Sequence, residues 1–91
     1  MELIKSLGVV LADKINISPP ATRGLIKLAI KDELGPFTVV QTVNLEDMQK
    51  TINNSLKKRL VKLAIQDVEM IIESLLTHLK ENQSLITMAN V

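Results

Sequence analysis

MQKTINNSLKKRLVKLAIQDVEMIIESLL, residues 48–76, is the stretch on which the fold turns. Within it, Met48, Ile52, Leu56, Leu60, Ala64, Val68, Ile72 and Leu76 place an apolar residue at every fourth position. An α-helix turns about 100° per residue, so each such step drifts about 40° and seven steps rotate the stripe by about 280°. One straight helix could bury that stripe only if its ends docked on different partners, as in an interlocked dimer. Two helices with a break between them satisfy it more simply. Asn53-Asn54-Ser55 is the predicted break, because these residues favour caps and turns over helix interiors.

Upstream, Asn44 reads as an N-cap, with Glu46 and Asp47 suited to the positive end of a helix. Before it lies FTVVQTV, residues 37–43, β-branched and alternating like a strand. It has nothing evident to pair with except the C-terminal tail or a second chain, so a short helical turn or an extended connector fits at least as well. Gly35-Pro36 is a strong helix stop. Ser18 followed by Pro19 is a strong start. Together they predict a helix over 19–34. Leu3, Leu7, Val10, Leu11 and Ile15 recur at helical spacing and predict another over 2–15. The helical pattern runs to about residue 82, which makes 1–82 a single helical domain and 83–91 a C-terminal tail.

GLIKLAIKD at 24–32 returns as RLVKLAIQD at 59–67, with six of nine residues identical. On helical wheels both segments carry a broad apolar arc, about 200° wide, with Lys27/Lys62, Arg23/Lys58 and Lys31/Gln66 opposite. A helix of that kind touches neighbours on two sides. Leu25, Leu28, Ala29, Leu60, Leu63 and Ala64 are therefore the candidate interaction residues. The matched Asp32 and Asp67 could pair as carboxylates at a metal or acid–base site. Helix-end placement, or pairing with a nearby Lys or Arg, is the more ordinary fate of such residues. The match does not extend beyond these segments, so it reads as one structural solution reached twice.

Composition narrows the class. Apolar residues make up 46% of 91, with one Phe and no Tyr or Trp, and with three Gly and three Pro. Such a core is built from Leu, Ile, Val, Met and Ala, which suits helix packing. A net charge of +1 gives no bulk attraction to nucleic acid or membrane. Cysteine is absent, which excludes disulfides, thiolate metal sites and a cysteine nucleophile. It also favours a cytoplasmic location. The first apolar stretch carries Lys5 and is followed by Asp13 and Lys14, a poor signal peptide, and no run is long enough for a membrane span.

Three constellations remain. His78 is followed by Leu79, Lys80 and Glu81. This departs from the H-x-L-K-G pattern of histidine phosphotransfer bundles, since the Lys comes one residue early and a carboxylate replaces the small residue. A histidine near a helix C-terminus is the expected reading. Lys57, Lys58, Arg59 and Lys62 form the densest basic patch. Residues 28–44 faintly resemble a helix-turn-helix, but its reading segment, Thr38 to Asn44, holds no Lys or Arg to reach DNA. No phosphate loop, catalytic serine motif or zinc-binding motif is present.

These observations predict an all-α fold, a compact bundle of four or five helices, dimeric through its broad apolar faces. The expected function is a small protein-interaction module with a regulatory or scaffolding role, without enzymatic activity or cofactor. A DNA-binding regulator, using the degenerate helix-turn-helix and the basic patch at 57–62, is the alternative.

Overall fold

Leu3, Ile4, Leu7 and Leu11 put one apolar stripe along the first helix, α1 (Glu2–Ile15), and each of the four is at most 1% exposed. The computed structural model describes residues 2–82. α1 stops at Asn16, which takes a left-handed conformation (φ 57°) and donates its N–H to the Ala12 carbonyl. Asparagine tolerates that conformation better than most residues. α2 (Pro19–Leu34) opens on two prolines, whose fixed φ suits a first turn. Ser18 stands extended at its N-cap, with no side-chain capping hydrogen bond. Gly35, at φ 114°, ends the helix and donates to the Lys31 carbonyl. Both helices occupy the predicted spans.

α1 and α2 cross closely at Gly8. The buried Thr22 hydroxyl donates to the Gly8 carbonyl at 2.7 Å. A Cβ at position 8 would lie 2.7 Å from Arg23 Cγ, inside any van der Waals contact. The bare glycine thus permits the approach that brings its carbonyl to the Thr22 hydroxyl, which also reaches the Pro19 carbonyl of its own helix at 2.9 Å.

The connector forms no strand. It turns through a short 3₁₀ helix at Val40–Thr42, buries Val43 and leaves Phe37 and Val39 facing solvent. The candidate reading segment of a helix-turn-helix is therefore not an α-helix. Asn44 then caps α3 (Leu45–Thr51) in a reciprocal capping box: its side chain accepts from the Asp47 N–H, and the Asp47 carboxylate accepts from the Asn44 N–H.

The predicted break at Asn53-Asn54-Ser55 is not there. α3 runs through a π turn (Ile52–Leu56) directly into α4 (Lys57–Lys62), making one rod over 45–62. The π turn answers the drift problem. Twelve α-helical residues from Met48 to Leu60 would overshoot whole turns by about 120°; eleven would overshoot by about 20°. A turn closed by i→i+5 hydrogen bonds winds fewer degrees per residue and absorbs about one residue. Met48, Ile52, Leu56 and Leu60 accordingly stay on one side, all at most 1% exposed, while Asn53 and Asn54 face water.

The rod ends inside the second copy of the repeat. Ala64 donates to the Val61 carbonyl and Ile65 to the Leu60 carbonyl, the paired bonds of a Schellman stop. Ala64 holds the left-handed position at φ 58°, where glycine is usual. Lys-Leu-Ala-Ile is therefore mid-helix at 27–30, with Ala29 and Ile30 buried and Lys27 and Leu28 exposed, and a helix terminus at 62–65. The broad apolar arc expected of both copies exists only as α2. One test uses a single substitution at both alanines. Ala64→Gly should stabilise by about 1 kcal/mol, because left-handed backbone is strained for alanine. Ala29→Gly, at a buried mid-helix site, should destabilise by about 1–2 kcal/mol through lost methyl burial and helix propensity. Equal effects in urea unfolding would contradict the two conformations.

α5 (Val68–Glu81) follows from Asp67, also left-handed at φ 56°. Its Ile71, Ile72, Leu75 and Leu79 complete one core with α1, α2 and the rod. The described chain is an all-helical globule of four helices, counting the rod as one.

Candidate functional site

Two surfaces gather the chemistry-bearing side chains. The first lies where the end of the rod meets the end of α2. Arg59 Nε donates to Asp32 Oδ2 at 2.6 Å, and Ser55 donates to Glu33 Oε1 at 3.0 Å. Lys57 pairs with Glu69 at the start of α5. Asp32, Ser55, Lys58, Arg59 and Lys62 line an open cleft of about 340 Å³. Two of the four patch cations are thus matched by carboxylates, and Lys58 and Lys62 remain exposed one turn apart. Exposed pairs of this kind contribute little to stability.

The hydrogen bond from Arg59 holds the Asp32 carboxyl below its ordinary value; slight desolvation opposes this, and the charges of Arg59 and Lys62 add to it. Any stability from this depressed pKa is present above the ordinary carboxylate value of about 3.9 and is lost as pH falls through the lower folded value. Arg59→Ala should raise the Asp32 titration midpoint toward the ordinary range in carboxyl NMR, and an unmoved midpoint would remove Arg59 as the cause. Asp67 is exposed at the start of α5 and makes no pair with Asp32. The matched carboxylates form no common site, and among the described residues no group of three or more His, Asp or Glu could hold a metal ion.

The second surface is a groove of about 440 Å³ between α1 and α5. His78, which lines it, shares a short hydrogen bond through Nε2 with Ser6 Oγ of α1. Lys14 and Met70 stand at its far end, where a smaller cavity adjoins. His78 is therefore a half-buried link between helices, beyond the dipole role expected of it. Sequence reasoning missed this pairing. The one available signal was that Ser6, Val10 and Lys14 recur every four residues beside the apolar stripe, marking the flank of α1.

The candidate interaction residues divide. Ala29 and Leu60 are wholly buried in the protein's own core, and Leu25 is half-buried against it. Leu28 (49%), Leu63 (51%) and Ala64 are exposed. Among the described residues, the most exposed large apolar side chain is one the sequence reading did not select: Phe37, the chain's only Phe, Tyr or Trp, at 95%. No described helix is long and apolar enough to cross a membrane. The chain matches no family model, no curated protein and no solved structure.

Proposed function

We propose that this protein is a small, self-associating interaction module of the cytoplasm, with a regulatory or scaffolding role, acting by binding without catalysis. The observation that carries the reading is the set of large apolar side chains left facing water: Val9, Leu28, Phe37, Val39, Val61, Leu63 and Met70 are each about half or more exposed. Phe37 is the extreme case, on the connector between α2 and α3. Aromatic residues are enriched at interface centres, where their large area is removed from water. Ala29 and Leu60 take no part, since the fold already buries them.

Sedimentation over a range of concentrations tests the reading. The expected result is a species of twice the monomer mass, and Phe37→Ser is expected to reduce binding of partner proteins while leaving the helical signal intact. A strict monomer at high concentration would overturn self-association. The second reading, a DNA-binding regulator, rests on exposed Lys58 and Lys62. It requires affinity that falls steeply with salt and drops further in Lys58→Gln/Lys62→Gln.

A further inference from the structure

We infer that the groove between α1 and α5 is where a second copy of this chain docks, α1 of each copy lying against α5 of the other; this rests on the self-association reading above. The groove has a defined ladder. Ser6 is bonded to His78 at one end, and Lys14 lies with Met70 at the other. The position numbers rise on one helix as they fall on the other, so the helices are antiparallel. Midway stand Val10 and Ser74, small enough for another helix to come close.

The two walls differ in charge. Lys14 stands on the α1 wall; Glu73 and Glu81 stand on the α5 wall. Lys14 and Glu73 make no ion pair among the described residues. A two-fold axis along the groove keeps each level in place and exchanges the walls. It sets Lys14 of each copy beside Glu73 of the other. A two-fold axis across the groove would reverse the levels, bringing Lys14 toward Ser6 and Glu73 toward Glu73. Charge complementarity selects the first arrangement. The result is a four-helix bundle in which every adjacent pair of helices is antiparallel, with coiled-coil-like packing available to each. It also covers Met70, now 67% exposed at the end of the groove.

Charge reversal in trans tests the arrangement. Lys14→Glu and Glu73→Lys alter exposed positions, and circular dichroism checks that each variant stays helical. Each alone should weaken dimerisation at least tenfold in sedimentation, because like charges then oppose one another twice per dimer. Mixing the two variants should restore a dimer, since both contacts in the mixed pair are again of opposite sign. Two results would overturn the groove while leaving self-association standing. One is a wild-type dimer that both single variants preserve. The other is a mixture that fails to recover, which would mean the charges act within one copy. A monomeric wild-type protein at several hundred micromolar would overturn both.

Discussion

Inserting one alanine between Asn53 and Asn54 is expected to abolish the cooperative unfolding transition. The Met48–Leu60 row is held in line by a π turn that already absorbs about one residue. One more residue carries Leu56 and Leu60, each at most 1% exposed, about 100° around the rod and toward solvent. Losing burial of a core leucine costs about 2–5 kcal/mol, and two such losses approach the whole stability of a small domain, about 5–15 kcal/mol. Deleting Asn54 is the informative control. Eleven α-helical residues bring Leu60 back to within about 20° of Met48, so the deletion should keep the core stripe and a cooperative melt. Its main loss is the Ser55–Glu33 hydrogen bond, worth about 1 kcal/mol. Thermal unfolding followed by circular dichroism separates the two. If the insertion melts as the native chain does, the π turn does not set the register.

The second large effect distinguishes neighbouring leucines. Leu60→Ala should cost about 2–5 kcal/mol, because Leu60 is wholly buried and its site is enclosed by core side chains. At about 4–8 °C per kcal/mol for a domain of this size, the melting point should fall by about 8 °C or more. Leu63→Ala, three residues on, should change stability by less than about 0.5 kcal/mol, because its side chain is already half in water. Urea unfolding of both variants measures the contrast. Similar losses at both positions would mean that the helix continues past Lys62 and that Leu63 faces inward.

Local signals were legible in proportion to their backbone constraint. Pro19, Gly35-Pro36 and Asn44 each restrict the chain within a few residues, and the helix bounds they imply are those observed. The break after Lys62 was hidden because its left-handed position is held by alanine, which carries no such mark. The apparent break at Asn53-Asn54-Ser55 misled for a related reason. Those residues are poor in an ordinary helix interior, yet a π turn lets both asparagines face water while Ser55 turns inward to Glu33. At the surfaces, pairing of Asp32 with a nearby basic residue was legible as a class. Its partner, Arg59, was not, since the two are 27 positions apart. Ser6 and His78 are 72 positions apart, and only the closing of α5 against α1 brings them together.

The α4–α5 junction has a consequence for how the molecule opens. Ala64 and Asp67 both hold left-handed backbone without being glycine, and Leu63, Ala64, Gln66 and Asp67 are all exposed. Strained residues with little burial mark the low end of a protein's range of local opening energies. Amide protons of the 63–67 segment should then exchange with solvent well before those of the rod it terminates, whose inward row lies in the core. Opening there leaves α5 docked, because Ile71, Ile72, Leu75 and Leu79 stay in the common core. The linker would breathe on its own, ahead of the single cooperative loss of the helices it joins.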